Sequence, residues 1–333
     1  MKKKHMVSGK RILWKAAALA AGAALLAGWI LTGTSGISKE DKEIYEAALE
    51  MQTEVDQIGF QDFRLADYPV AMYDGKRDYV FYQGKIEKRA PVLETFAGTA
   101  YPVEDHFEVI VPTREQLEGL LSLAGGVETL ASGSGYEKEE QIATIWHETF
   151  HAWQMSNYAI LGETMTPQEM AAGLEEESGD EESMGEDAVL VRAVDKNPDM
   201  KKKVEQEMKL LKKTALSEAG IDEIKSGVLE YRKLEERRKA EMSKEAVQVE
   251  ERCELMEGTA YYVEANVLKI QKGGQEYRKR YIGTLDRFDA GRGKYYRTGM
   301  AKCMILDRIS PDWKKNLDFS KSLDELLDDA AGE

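Results

Sequence analysis

Residues 141–155 read QIATIWHETFHAWQM and contain two of the four histidines of this 333-residue chain. Residues four positions apart lie on one face of an α-helix, so His147 and His151 should point the same way. Two imidazoles at this spacing can bind one zinc ion, and Glu148 between them can take a proton from a water on the metal. Chance predicts only about 0.006 such patterns in a chain of this composition. The segment therefore predicts a helix that carries a zinc site.

The third metal ligand is not a histidine. A catalytic zinc needs a third protein ligand and one open coordination position. In one class of zinc enzymes the motif continues as HExxHxxGxxH, but Gln154 and Asn157 occupy those two positions here. That class is excluded, and no histidine follows His151 anywhere in the chain. The third ligand must be a carboxylate, a cysteine or a tyrosine.

The best candidate lies in CELMEGTAYYVEA, residues 253–265. Within it, MEGTAYYVE resembles the glutamate-ligand helix of the gluzincin metallopeptidases, which often reads (N)EGxAxYxE. The resemblance implies that Glu257 is the third zinc ligand. It also implies that Gly258 and Ala260 are small so that two helices can approach closely enough for one zinc to bridge them. It covers two short helices and the general order of sheet first, helices after.

Other residues compete with Glu257 for the ligand position. Glu254 and Glu264 are close in sequence, and Cys253 lies one turn before Glu257. Residues 257, 261 and 264 share a helix face, so Glu264 could instead hydrogen-bond a ligand histidine. Asp286, in GTLDRFD, loosely resembles the aspartate-ligand motif of another zincin group, with spacing that is wrong by one residue.

Peptide hydrolysis also needs a group that stabilises the oxyanion of the tetrahedral intermediate. Gluzincins commonly use a tyrosine or histidine downstream of the glutamate helix. The candidates here are Tyr295 and Tyr296 in GKYYRTG, with Arg297 beside them, and we favour Tyr296. His106 could also line the cleft, although a role at a strand end is the simpler interpretation.

The connection between the two metal-site helices is unusually long. There are 105 residues between His151 and Glu257, where many gluzincins have about twenty. Residues 174–187, LEEESGDEESMGED, carry eight acids and predict a solvated loop. Residues 199–271 are rich in helix formers, and the segment 230–258 has no helix breaker. Its first half has few apolar positions, so it should be a helix that projects into solvent.

The chain before the motif should contain a helix and a small sheet. Residues 37–58 have helical periodicity, and Gly59 ends the pattern. The pieces DYVFYQG, APVLETFAG and HFEVIVPT are rich in β-prone residues and predict strands within residues 66–112. A further edge strand is expected near Val127–Ser132, where it could pair with a substrate backbone. Cys253 and Cys303 could form a disulfide or remain as buried thiols.

The N-terminus differs from the rest of the chain. Residues 1–15 carry several lysines and arginines and no acid, and Ala16–Thr32 is an apolar run of 17 residues without a charge. This pattern predicts a signal anchor, or a cleaved signal peptide, that sends the remainder outside the cytoplasmic membrane. The net charge of −15 argues against a nucleic-acid partner.

These observations predict an α+β, zincin-like fold in which a small N-terminal mixed sheet packs on a mostly helical part carrying the metal site. The expected divisions are 1–36 (signal or anchor), 37–155 (α/β part with the motif helix), 156–250 (charged insertion) and 251–333 (third ligand and C-terminal helices). The predicted function is a zinc-dependent endopeptidase acting on peptides or proteins, since no segment suited to binding a free amino terminus is present. The alternative is a non-catalytic, membrane-tethered module with structural zinc, in which a second acid or Cys253 would close the fourth position.

Overall fold

The computed structural model describes residues 36–95, 97–123, 136–163, 166–168, 170 and 185–332. Across these residues the chain is α+β, with a small mixed sheet followed by mostly helical structure, so the broad fold class expected from the sequence is confirmed.

The N-terminal part comprises, in chain order, α1 (Lys39–Glu50), α2 (Gln52–Asp56), a 3-10 turn (Leu65–Asp67), β1 (Val70–Tyr73), β2 (Asp78–Tyr82), β3 (Lys85–Arg89), β4 (Thr99–Val103), β5 (His106–Pro112), α3 (Arg114–Leu123) and the motif helix α4 (Lys138–Asn157). The C-terminal part comprises α5 (Glu186–Leu190), a π-helical turn (Val191–Asp195), α6 (Pro198–Ala215), α7 (Ile221–Lys239), α8 (Lys244–Cys253), a second π-helical turn (Glu254–Gly258), α9 (Thr259–Tyr277), a third π-helical turn (Arg278–Ile282), α10 (Gly293–Ile309), a 3-10 turn (Trp313–Lys315) and α11 (Leu323–Ala331).

The sheet has the strand order β3-β2-β1-β5-β4, in which β1 and β5 are parallel and the other neighbours are antiparallel. The strands predicted in DYVFYQG and HFEVIVPT are present as β2 and β5. The strand predicted in APVLETFAG is wrong, because the described residues of 90–98 form a loop. There Asp78 Oδ2 accepts the Val92 N–H at 2.9 Å, and the Thr95 hydroxyl bonds the backbone of Ala97. Such side-chain bonds to the backbone compete with strand pairing.

The motif helix α4 packs against both the sheet and the C-terminal helices. It packs against β5, β4 and α1 on one side and against α9 on the other. Phe60 and Phe63, from the segment before the sheet, make edge contacts with aromatic residues of the helix, at 4.7 Å between the ring centroids of Phe60 and Phe150 and 5.3 Å between those of Phe63 and Trp146. Because these rings are buried, they hold the helix in one position between the sheet and the C-terminal helices.

The charged segment 230–258 does not form one helix that projects into solvent, so that prediction is wrong. Helix α7 ends at Lys239, and Ser243 caps a new helix, α8. Arg238, only 2% exposed, binds Glu207 and Glu250 on either side, at 2.8 and 2.6 Å. Charged side chains can be buried when they are paired and hydrogen-bonded in this way. The helix face that looked solvated in the sequence is therefore an internal ion network.

Some predictions fall outside the described residues. These are the anchor or signal at residues 1–35, the edge strand near Val127–Ser132 and most of the acidic loop, residues 174–184. Among the helices that the structure does describe, none combines the length and apolar character needed to cross a membrane. Cys253 and Cys303 are both buried and free, which excludes the disulfide between them.

Candidate metal centre

The helix that carries His147 and His151 has a well-defined beginning. Glu137 and Glu140 form a reciprocal capping box, in which each side chain accepts from a backbone N–H at the helix start. The Glu137 carboxylate also pairs with Lys272 of α9. The beginning of the motif helix is thus tied to α9, the helix that follows the π-helical turn of Glu257.

Three candidate ligand atoms meet between α4 and the C-terminal helices. The Nε2 atoms of His147 and His151 are 3.1 Å apart, and Oε2 of Glu257 lies 3.7 Å from the first and 3.2 Å from the second. All three ligand atoms lie within 4.8 Å of one another. Two imidazole nitrogens and one carboxylate oxygen fit the ligand set of a catalytic zinc site, which leaves a fourth position for water or substrate.

Each histidine is oriented through its other ring nitrogen. His147 Nδ1 lies 2.8 Å from Glu264 Oε2, and His151 Nδ1 lies 2.9 Å from Gln154 Oε1. The His151 contact is a hydrogen bond, whereas the His147 contact is a close approach of the carboxylate without hydrogen-bond geometry. In both, the oxygen lies beside the ring nitrogen that does not face the shared position, where partners of metal-binding histidines usually lie. Of the two roles considered for Glu264, the structure shows the contact with a histidine. Tyr281 donates to the other oxygen of Glu264 at 2.8 Å.

Gln154 is a site residue that the sequence analysis missed. Its side chain is fully buried, its Oε1 accepts from His151 Nδ1, and its Nε2 donates to Thr259 Oγ1 at 2.9 Å and to the Met256 carbonyl at 3.3 Å. It therefore joins the motif helix to the Glu257 segment directly. Its position three residues after His151, on the same helix face, was the available signal in the sequence.

The rival ligands are engaged elsewhere. Glu254 binds Lys302 at 2.6 Å and Thr298 at 2.5 Å, and Asp286 pairs with Lys212 at 2.6 Å. Cys253 lies in a small apolar cluster, and burial raises the pKa of its thiol well above the usual value. The group of candidate ligands around His147 therefore does not include Glu254, Asp286 or Cys253.

The charges in the cluster reinforce one another. Burial alone would lower the pKa of His147, but the neighbouring carboxylates of Glu257 and Glu264 outweigh it and hold that pKa well above its usual value. Burial alone would raise the pKa of Glu257, but the two histidines and Arg292 hold it well below its usual range. The metal-free cluster thus keeps Glu257 ionised and favours a proton on His147, which a metal ion must displace.

Glu148 is buried next to the cluster, on the side facing the sheet. Burial raises its pKa above the usual value, so its affinity for a proton is higher than that of a solvated carboxylate. The backbone of Gly98 lies against it, since a Cβ at position 98 would be 2.9 Å from both Cγ and Oε1 of Glu148. Strand β4, one of the two edge strands of the described sheet, begins at the next residue.

The two candidate tyrosines lie in different surroundings. The Tyr296 ring is nearly parallel to the His147 ring, with 6.2 Å between the centroids. Burial, followed by the charge of Glu257, raises the pKa of Tyr296 well above its usual value, so its hydroxyl remains a donor. Tyr295 is fully buried and donates to Glu250 at 2.9 Å, inside the ion network. His106, at the start of β5, is paired with Glu108 at 3.1 Å and lines a separate surface cavity of about 920 Å³.

Glu257 lies on the π-helical turn Glu254–Gly258, where α8 passes into α9. Single π-turns inside helices are common at functional sites because they redirect one side chain. Gly258 does permit a close helix approach, but the neighbour is α10 rather than the motif helix. A Cβ at Gly258 would lie 2.5 Å from Cα of Gly299. The expectation that Gly258 lets the two ligand helices meet is therefore corrected.

A second group of acids, Glu235, Glu254 and Asp324, also has the spacing of a metal site. Here the Lys302 ammonium lies among the three carboxylates, 3.2 Å from Glu235 and 2.6 Å from Glu254, with a short contact to Asp324. Lys302 is fully buried and supplies the charge that a cation would otherwise supply. We assign this group to the structural ion network.

Comparison of the chain with protein-family models, with curated proteins and with solved structures finds no match. The chemistry of the centre must therefore be inferred from its own geometry.

Proposed function

We propose that the protein is a zinc-dependent metallopeptidase, most simply an endopeptidase, with a gluzincin-like site. The observation that carries the proposal is the convergence of His147 Nε2, His151 Nε2 and Glu257 Oε2 within 4.8 Å, beside a buried glutamate in the motif position of the general base. Residue 257 is separated from residue 151 by more than 100 positions, so the convergence is not a consequence of local sequence.

In this proposal the three side chains would hold one zinc ion. Bound zinc supplies a Lewis acid and a water with a pKa near 7. Glu148 would accept the proton of the attacking water and deliver it to the leaving amine, a role for which a carboxylate with a raised pKa is suited. Tyr296, protonated and next to His147, would donate a hydrogen bond to the developing oxyanion.

An extended peptide could bind along β4. This strand is one of the two edge strands of the described sheet, and the residue before it, Gly98, contacts Glu148. A free strand edge can accept the backbone of a peptide as an additional strand. The scissile bond would then lie next to Glu148. The basic and apolar N-terminal segment supports action outside the cytoplasmic membrane, either tethered or after cleavage of the segment.

The alternative, a non-catalytic module with structural zinc, requires a fourth ligand from the protein. Cys253 lies in an apolar cluster, and the acids that competed with Glu257 as third ligand, Glu254, Glu264 and Asp286, contact other groups. A structural site also has no need of Glu148. Both observations favour the enzyme.

The test begins with zinc content. The full-length chain, purified in mild detergent, should contain one zinc per molecule by elemental mass spectrometry. Glu257→Ala should lose most of that zinc, whereas Glu276→Ala, a matched change on the helix that follows, should retain it. Glu276 pairs with Arg280 at 3.2 Å, at the far end of α9.

Activity is then measured with quenched fluorescent peptides of mixed sequence. Glu148→Gln should keep its zinc and lose at least about 100-fold in rate, because only the general base is removed. A parent protein that binds no zinc, or a Glu148→Gln variant as active as the parent, would exclude the proposed reaction.

A further inference from the structure

The two oxygens of Glu257 have different partners. Oε2 faces the histidines, 3.2 Å from His151 Nε2, whereas Oε1 accepts from Arg292 Nη1 at 3.3 Å. Only 17% of the Arg292 side chain is exposed, and a guanidinium carries its positive charge throughout the physiological pH range. The second oxygen of the third ligand is thus occupied by a permanent cation.

Arg292 is held in place by the insertion between the two metal-site helices. Its backbone N–H donates to Asp187 Oδ1 at 2.8 Å, and the N–H of Gly291 donates to Asp195 Oδ2 at 2.6 Å. Asp195 Oδ1 also binds Lys294 at 2.8 Å. Two acids from the segment Glu186–Asp195 therefore hydrogen-bond the backbone of the turn that precedes α10 and carries Arg292.

The turn itself is specialised for this contact. Gly291 has φ +63°, a conformation that favours glycine, and a Cβ at this position would collide with the Asp187 carboxylate. The backbone must therefore pass close to Asp187 before Arg292 can reach Glu257. The positive φ of Gly291 and its close approach to Asp187 both concern the turn before α10, not the packing of α10 itself.

We propose that Arg292 is a positioning residue for Glu257, and that the inserted segment Glu186–Asp195 acts on the metal centre by holding Arg292. The inference rests on the proposed zinc function. A glutamate side chain has three rotatable bonds, so its carboxylate needs a second partner to keep one oxygen directed at the metal. Arg292 fixes Oε1 and thereby leaves Oε2 as the ligand atom. The insertion, on this view, completes the site rather than merely lengthening a connection.

Orientation and simple charge repulsion predict opposite effects of removing Arg292. If Arg292 acts only as a positive charge near a cation, its loss should tighten zinc binding. If it orients Glu257, its loss should weaken zinc binding about 10- to 100-fold, the usual range for residues that orient metal ligands. Arg292→Lys should weaken binding less than Arg292→Gln, because it keeps a donor and a charge but loses the planar geometry.

The experiment measures zinc affinity of the full-length chain by competition with a chromophoric chelator. We expect Arg292→Gln to weaken binding about 10- to 100-fold. Asp187→Ala, which removes the acceptor for the Arg292 N–H, should weaken it by a smaller factor. The matched control is Arg287→Gln, on the same loop, where the side chain is exposed and pairs with Asp289 at 3.0 Å. The control should bind zinc like the parent.

The double variant tests whether Asp187 acts through Arg292. If it does, Asp187→Ala should add no further loss to Arg292→Gln, because contacts in one chain of interactions are not additive. Additive losses, or an Arg292→Gln variant that binds zinc as tightly as the parent or more tightly, would overturn the inference. Circular dichroism and thermal unfolding of the zinc-free variants identify a loss that comes from misfolding.

The same measurements separate this inference from the proposed function. If the parent binds zinc and Glu257→Ala does not, but Arg292→Gln is unaffected, the zinc site stands and the positioning role fails. If the parent binds no zinc, both proposals fail together.

Discussion

Helix α10 passes close to the Glu257 segment, and a single substitution tests this contact. Helix α10 crosses the Glu257 segment at two glycines, Gly258 and Gly299. A Cβ added at Gly299 would lie 2.5 Å from the carbonyl oxygen of Glu254 and 2.7 Å from Cα of Gly258. Ordinary contacts of a Cβ begin at 3.4 Å, so the added methyl group in Gly299→Ala would be about 0.9 Å too close.

The atoms in the way belong to the backbone, so no side chain can rotate to make room. The two helices must separate by a substantial part of that distance, in an interior that is densely packed. Overpacking of this kind costs about 1–3 kcal/mol of folding free energy. Gly299→Ala should therefore lower the free energy of unfolding of the zinc-free protein by about this amount.

The displacement should also reach the metal centre. Helix α10 carries Tyr296 and is preceded by Arg292, so moving it away from Glu257 changes the contact between Arg292 and Oε1. We expect zinc affinity to fall about tenfold, at the lower end of the range for disturbed orienting contacts. The effect on unfolding and the effect on zinc binding should appear in the same variant.

The assay is urea denaturation of the zinc-free, full-length chain, followed by circular dichroism, with a chelator competition for zinc. The control is Gly220→Ala, at the start of α7, where an added Cβ meets no atom within 4 Å. Because Gly220 is the N-cap of α7, this control should lower the unfolding free energy by at most about 1 kcal/mol, less than Gly299→Ala does. If the two variants unfold alike, the close crossing of α10 and the Glu257 segment is wrong.

Three further results are expected. Glu264→Ala should weaken zinc binding about 10- to 100-fold in equilibrium dialysis, because His147 loses the partner of its Nδ1 atom; unchanged affinity would show that the contact does not orient the histidine. Lys302→Met should lower the unfolding free energy by about 3–5 kcal/mol, since it leaves three buried carboxylates with less counter-charge. Millimolar calcium should restore part of that stability, and a variant insensitive to calcium would contradict the idea that Lys302 substitutes for a cation. Zinc affinity should rise with pH, by up to about tenfold per pH unit below the pKa of His147. The reason is that this pKa is raised, and the proton must leave before the nitrogen can bind metal. Titration calorimetry that detects no proton release on zinc binding would contradict the assignment of His147 as a ligand.

The sequence determined the features that depend on local spacing. The arrangement of His147, Glu148 and His151 follows from helical periodicity alone, and the motif helix is present as predicted. The strands β2 and β5 were also found from their composition. Glu257 was proposed through a family resemblance, but residue types near it left Glu254, Glu264 and Cys253 as alternatives, because all of them can bind metal.

The tertiary structure alone decided which distant groups meet. It brings Glu257 to His151 across 106 positions, turns Glu264 to His147 and Glu254 to Lys302, and brings Arg292 to the second oxygen of Glu257. It also shows that charged helices which looked solvated enclose an ion network. The physical reason is that periodicity records which residues share a face, whereas the partner of that face depends on the packing of the whole chain. A buried Arg238 with two carboxylate partners and a solvated arginine are identical in sequence and differ only in what surrounds them.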